Sequence, residues 1–414
     1  MHISKAWPSV VTVLVLAAPV AGQEALDLDT YVKVVLRSHP LVAEGQAAAK
    51  VSAAEERSAG ALPDPVVGVS RSRATPVPGG FSGIEWGFSV SQTLPWPGAR
   101  NARIRTAVVS GRSRLLEEEA ARWDLELDAR LAFGRLAQSR RSLAQAEHGE
   151  ADAVSVLEIT TRRADVGEVR EADRSRAQAE RLRMGMALRM ARRESEAAEA
   201  ALRALSMEPL PEPLLLHEEP AARLSQEEID RRRAKLATQS PGLRLTQAAI
   251  DREMAVSEAA RAGRFPDLDL SATRVKELDK EAWSLAANVR VPLWNANRAE
   301  IARAEASASL ERSTLTRRTL ESRLAFDAAV QQAQSVEDRL QFLSSTLVPT
   351  AHRTFDLVRL SYEEGETSLL DLLEAQRTLR EAEIEEGVAR FDAVKAWIEV
   401  ERISGPRAAT EKAQ

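Results

Sequence analysis

From Gly98 to Glu208 the chain contains no proline. A proline inside a helix costs about 3 kcal/mol, so a run of this length is informative. Its filler is Ala, Leu, Arg and Glu, the strong helix formers. The stretch reads as two very long helices meeting near Gly167. A second stretch, Leu293 to Gly405, has only Pro349 inside it, and its two helices meet near Gly365. At about 1.5 Å per residue, Gly98 to Asp165 spans on the order of 100 Å, longer than a compact globular domain accommodates. The apolar spacing agrees. Trp123, Leu127 and Leu131 form an i, i+4 ladder. Ile384, Val388, Phe391, Val394 and Ile398 step by four, three, three and four, as a coiled-coil seam does. Mixed charge, as in Leu115 to Arg122, implies solvated faces. The helices alone fit a long cytoplasmic coiled coil equally well.

The chain also repeats itself. Asp27 to Gly60 is helical by composition with a break at Ser38-His39-Pro40, and the segment after Ser225 breaks at Ser240-Pro241. Ser225 with Glu228 forms a plausible capping box. Gly60 to Asp64 parallels Gly263 to Asp267; Trp96 and Arg100 parallel Trp294 and Arg298. Gly167, Glu168, Asp173, Ala177 and Gln178 parallel Gly365, Glu366, Asp371, Ala375 and Gln376. Tandem duplication explains this better than chance. The expected organisation is a signal peptide over 1–22 and a first repeat over 23–210, with strands near 64–73 and 84–94 and a helical hairpin near 98–208. A linker follows over 211–224. The second repeat, 225–405, has strands near 267–275 and 283–292 and a hairpin near 296–404. A flexible tail, 406–414, ends the chain.

Met1 to Gly22 has a positive start at Lys5, an apolar stretch from Val10 to Ala18 and the small residues Val20-Ala21-Gly22. The apolar part is too short to cross a bilayer as a helix. The chain has no cysteine, hence no disulfide, no thiolate metal ligand and no cysteine to carry an N-terminal lipid. Net charge is −5 with no basic block, which argues against nucleic acid as a partner. His2, His39, His148, His217 and His352 have no ligand spacing. No phosphate loop, HExxH or GxSxG is present, and no acid–base pair stands out from the helix-surface carboxylates. The sequence therefore indicates no enzyme, no cofactor and no metal site.

The β-like segments carry the functional signal. Trp283, Leu285, Ala287, Val289 and Val291 alternate with Ser284, Ala286, Asn288 and Arg290. Such a strand suits an outer membrane, with lipid on one side and water on the other. A half-buried strand of a soluble sandwich alternates identically. Four such segments are too few for a barrel, and open edges are not tolerated in lipid, so several copies must close one wall. Trp86, Trp96, Trp283 and Trp294 lie in or at the ends of these segments, as membrane-interface aromatics do.

Taken together, these features resemble the TolC family of outer-membrane efflux proteins. The resemblance runs from about Leu26 to Gly405. It is carried by the tips Ala164 to Val169 and Tyr362 to Asp371, and by the junction Ser91 to Gly98. That junction is similar to the heavy-metal and cation efflux branch. The implied fold is mainly α with a small β part: tandem-duplicated long α-helical hairpins forming a coiled-coil α-barrel, plus four transmembrane strands per chain that make a 12-stranded β-barrel as a homotrimer. The resemblance implies passive efflux of metal ions, drugs or other small molecules across outer-membrane lipid. It implies an inner-membrane pump of RND or ABC type and a periplasmic membrane-fusion adaptor. The adaptor would dock at Val166, Gly167, Glu168, Val169, Glu364, Gly365, Glu366 and Thr367. Asp371 and Glu374 would face the periplasmic aperture. Val169-Arg170-Glu171-Ala172 is more polar than Thr367-Ser368-Leu369-Leu370, a departure at the first tip. Two other readings compete: a periplasmic adaptor, which would carry one hairpin flanked by compact β-rich domains, and a coiled-coil scaffold with no channel.

Overall fold

A computed structural model of the protein describes residues 25–74, 82–217, 223–277, 280–291, 294 and 296–406. The expected signal segment 1–22 and all of the tail after Pro406 lie outside the described residues.

Two short helices open the described chain, α1 (Leu28–Ser38) and α2 (Pro40–Gly60). Pro40 starts α2 because its fixed φ suits a first helical turn, while His39, extended ahead of it, ends α1. Strands β1 (Val66–Ala74) and β2 (Gly83–Leu94) follow. The 69-residue α3 (Pro97–Asp165) and the 36-residue α4 (Glu171–Ser206) form the first hairpin. The pattern then repeats with α5 (Gln226–Gln239), α6 (Pro241–Ala262), β3 (Leu268–Lys276) and β4 (Glu281–Val289). The second hairpin is α7 (Arg298–Phe342), a π-helical turn at Leu343–Leu347, α8 (Val348–Glu363) and α9 (Leu369–Ser404).

Four details differ from the sequence reading. β1 begins at Val66, past Pro65, which has no N–H to give to a ladder. β4 runs Glu281–Val289 rather than 283–292; it stops at Val289 because its partner β3 begins at Leu268, opposite it. The π-helical turn was not foreseen. It lies just ahead of Pro349, which cannot donate to the carbonyl of residue 345 and crowds it, and the ladder widens there. Ser225 caps α5 by accepting from the Glu228 amide at 3.2 Å, but the Glu228 carboxylate is taken by Arg231 and Arg232.

The strands form one antiparallel sheet in the order β1-β2-β3-β4. The helices lie side by side beneath it. Nearest the sheet the sequence of neighbours is α2, α3, α6, α7; toward the tips it is α4, α3, α9, α8. The packing is similar in the two halves. Phe133 and Leu202 pack with Tyr31, and Phe326 and Val400 pack with Ile229, one set per repeat. Burial raises the pKa of the Tyr31 phenol, which donates to the Leu202 carbonyl at 3.0 Å.

The seam read on α9 is divided. Phe391, Val394 and Ile398 pack on α3 around Trp123, Leu127 and Gly134, whereas Ile384 and Val388 are exposed. The seam buried within the chain is a second one, Leu372, Leu379, Ala382, Ala389 and Ala393, running on to Trp397 and Val400. Where α5 meets α9, Arg232 is buried. It donates to Glu228 (3.1 Å), Ser404 Oγ (2.7 Å) and the Gly405 carbonyl (3.1 Å), and lies 3.7 Å from Glu401. Glu401 also pairs with Arg130 of α3. Arg232→Ala removes a partner from two largely buried carboxylates, which keep Arg231 and Arg130, and is expected to cost about 1–3 kcal/mol. Arg232→Lys should recover little of this, since one ammonium cannot replace the guanidinium fork. Thermal unfolding of the detergent-solubilised protein measures both.

Candidate functional site: sheet faces and hairpin tips

The register sorts the strand residues by chemistry. One face holds Val67, Val69, Ile84, Trp86, Phe88 and Val90 on β1 and β2, continued by Leu268, Leu270, Leu285 and Val289 across β3 and β4. The other face holds small and hydroxylated residues together with the carboxylates Glu85 and Asp269. On β2 the apolar face is the more exposed one: Ile84, Trp86, Phe88 and Val90 are exposed, and Glu85, Gly87 and Ser89 are half-buried. This inverts the arrangement of a soluble sandwich. Among the described residues no element covers the apolar side, where Leu285 is 86% and Trp283 70% exposed.

Aromatic residues mark both ends of this face. Trp86 and Trp283 lie toward the loop end, with Arg71 over Trp86 at 5.3 Å and Arg274 over Trp283 at 5.4 Å. Trp96 and Trp294 lie at the helix end, with Trp96 stacked on Phe265 at 5.3 Å. Trp86 to Trp96 is ten residues and Trp283 to Trp294 eleven, close to the roughly 9–11 residues a tilted strand needs to cross a bilayer.

At the opposite end of the molecule the two hairpins turn with the same backbone. Gly167 N donates to the Ala164 carbonyl (3.0 Å) and Glu168 N to that of Arg163 (2.9 Å). Gly365 N donates to Tyr362 (3.1 Å) and Glu366 N to Ser361 (2.8 Å). Each is a Schellman closure with glycine in the left-handed region, φ +82° and +85°. Val166, Gly167 and Glu168 project into solvent with Glu364, Gly365 and Glu366, while Val169 and Thr367 are half-buried.

The structure adds residues that the sequence reading did not single out. Arg163 ties the tips together: its Nη1 donates to the Tyr362 carbonyl (2.8 Å), its Nε to Glu168 (3.1 Å), and its guanidinium lies 5.2 Å over the Tyr362 ring. The Tyr362 hydroxyl meets Thr160 Oγ1 at 2.9 Å in the core below. A groove of about 250 Å³ opens between the tips, lined by Arg163, Glu168, Arg170, Asp173, Tyr362 and Leu370. The only advance signal was position: Arg163 and Tyr362 lie one turn before their tip glycines.

Asp371 and Glu374 are both exposed on the first turns of α9. Asp371 also closes a capping box: Ser368 Oγ accepts from the Asp371 amide, and the Asp371 carboxylate accepts from Ser368 N (3.2 Å) and Oγ (2.7 Å). These bonds hold its pKa below the ordinary carboxylate value. The equivalent residue of the first tip, Asp173, instead accepts from Arg170 and Arg176.

With this geometry in view, comparison with known proteins points to outer-membrane efflux proteins. Residues 234–406 match the family described as outer membrane efflux protein. The match spans most of the second repeat. It is 26% identical over 306 residues to the cobalt-zinc-cadmium resistance protein CzcC of Cupriavidus metallidurans, a match covering 69% of each chain. Its fold is that of solved outer-membrane channels. CusC superimposes with a TM-score of 0.77 at 15% identity, covering 92% of both chains. The CmeC channel of Campylobacter jejuni gives 0.75 at 16% identity, covering 98% of this chain and 93% of that one. The protein is thus an outer-membrane efflux channel with a long periplasmic helical extension.

Two outcomes follow for the tips. Gly167→Ala and Gly365→Ala each force a Cβ into the left-handed region and are expected to cost about 1–2 kcal/mol, read as faster amide exchange confined to the turn. The Asp371 cap has a depressed folded-state pKa. Its contribution is therefore present above the unfolded carboxylate range, near pH 4, and lost as pH falls through the lower folded value. Exchange at the N-terminus of α9 should rise in acid below about pH 4, and Ser368→Ala should abolish that dependence.

Proposed function

We propose that three copies of this chain close into one duct, conducting divalent metal cations passively from a periplasmic adaptor and an inner-membrane pump to the exterior. The observation that carries this reading is that every layer is a strip with two unlike ends. The sheet ends in β1 and β4, the upper helices in α2 and α7, the lower helices in α4 and α8. An unpaired strand edge is not tolerated in lipid. Unlike edges join head to tail, and a head-to-tail contact that closes makes a ring. Three times four strands gives a barrel of about twelve, within the range of known outer-membrane barrels. The lower helix edges carry apolar side chains in keeping with such contacts: Leu182, Met186 and Met190 on α4, Leu357 and Leu360 on α8.

In that ring the small, hydroxylated face of the sheet lines the lumen, and the apolar face meets lipid. Trp86, Trp96, Trp283 and Trp294 sit at the two membrane interfaces. Within the four strands the lumen face has Glu85 and Asp269 and no Lys or Arg, a lining that favours cations. The similarity to a cobalt-zinc-cadmium resistance protein supports the same substrate class. Val166, Gly167, Glu168, Val169, Glu364, Gly365, Glu366 and Thr367 present the tips to the adaptor. Asp371 and Glu374 face the aperture, Asp371 with the second duty of capping α9.

The expected result is a trimer in the outer-membrane fraction, resolved on an unheated gel, that conducts cations in planar bilayers. Asp371→Asn with Glu374→Gln should lower cation over anion selectivity, measured as a smaller reversal potential in a salt gradient, without dissociating the trimer. A monomer soluble without detergent would overturn the reading.

A further inference from the structure

The charges of the sheet are distributed in a way that the duct does not require. Within the four strands, every Lys and Arg lies on the apolar, lipid-facing side: Arg71, Arg73, Arg274 and Lys276. All four lie at the loop end, away from the helices. The helix-end half of the same face, from Val67 and Val69 across Val90 and Leu94 to Leu268, Leu270, Leu285 and Val289, has no charged side chain.

The register packs the cations around the aromatics. Arg71, Trp86, Lys276 and Glu281 form one rung across the sheet; Val69, Phe88, Arg274 and Trp283 form the rung below it. Arg71 and Arg274 lie over indole rings, within the range of a cation–π contact. Glu281 is the one carboxylate on this part of the face, and it pairs with Arg274. Within the four strands, four cations against one anion give a girdle with a net charge of three positive per chain.

From this placement we infer that the loop-end girdle binds the phosphate groups of a phosphorylated glycolipid in the outer leaflet. The inference rests on the barrel reading above, which turns this face to lipid and its loop end to the exterior. A cation beside hydrocarbon is costly unless it meets an anionic headgroup, and at headgroup depth each Lys or Arg adds attraction to anionic lipid. Arginine matches phosphate with two parallel donors, whereas the zwitterionic headgroups of a neutral leaflet leave the excess charge unmatched. The tryptophans beside these cations occupy the same depth, where an amphipathic ring is favoured.

The test uses the full-length protein extracted as its trimer and placed in nanodiscs. Native mass spectrometry reads the lipid retained, with bisphosphorylated lipid A, its dephosphorylated form and phosphatidylethanolamine offered in competition. Bisphosphorylated lipid A is expected to be retained about tenfold or more over the dephosphorylated form. The combined variant Arg71→Gln, Arg274→Gln, Lys276→Gln should lose that preference while keeping its mobility on an unheated gel and its conductance. Equal retention of the two lipid A forms by the wild-type trimer overturns the proposal, and does so even if the variant fails to assemble. A variant that assembles and keeps the preference also overturns it, as does equal protection of the trimer against thermal dissociation by inorganic phosphate alone. Failure of the wild-type chain to form a membrane trimer would overturn the barrel reading instead, which the gel detects separately.

Discussion

The structure depends on a sheet whose apolar face no described element covers. Burying an apolar side chain is worth about 1.5–3 kcal/mol, and this chain leaves Val67, Val69, Phe88, Trp283, Leu285 and others on one surface. In water such a face would aggregate. In lipid it is satisfied, but lipid then forbids the unpaired N–H and C=O groups of β1 and β4. The two demands have one common solution, edge pairing between copies. The helices inherit the geometry, because each strand feeds a helix and each strip of helices ends, like the sheet, in two unlike borders.

The likeness of the two halves makes this closure regular. Gly167 and Gly365 turn with the same pair of hydrogen bonds, and Phe133 with Leu202 is repeated as Phe326 with Val400. The copies have diverged where the two tips meet. Arg163 of the first reaches Tyr362 of the second, and the caps differ, with Ser368 and Asp371 in one and Arg170 and Asp173 in the other. A perfectly repeated tip could not make the Arg163–Tyr362 contact, since the residues equivalent to them are Ser361 and Ala164. This difference between the halves therefore joins the hairpins at their tips.

Local rules made much of this legible. The helix breaks at Pro40 and Pro241, the left-handed glycines of the tips and the alternation of β4 each follow from the residue and its neighbours. What escaped was tertiary. The α9 seam read from spacing was correct as a pattern, but α9 buries two faces, and single-helix periodicity shows only the more apolar one. The end of β4 was set by the length of β3, not by its own alternation, which continues to Val291. Asp371 reads from sequence as a surface charge one turn from Glu374, and its cap on Ser368 takes effect only once the tip turn is formed. Arg163 gave no signal beyond its place one turn before Gly167, because its partner lies 199 residues away.

Register also decides the electrostatics. In a strand, neighbours face opposite sides, so a slip of one residue exchanges lumen and lipid faces throughout. Such a slip in β3 would turn Asp269 to lipid and carry Arg274 and Lys276 into the lumen, placing cations in a path lined by carboxylates. The sheet is anchored against this at its helix end. Trp96 N donates to the Asp267 carboxylate (3.0 Å), Thr93 Oγ1 donates to Asp269, and the Trp96 ring stacks on Phe265. All three contacts join β2 to β3, the pair that spans the two repeats. The β1–β2 and β3–β4 pairs are each confined to one repeat, so their register is constrained by the loop joining them. The contacts at Trp96 fix the one pairing that no short loop determines, and with it which charges the sheet shows to water and which to lipid.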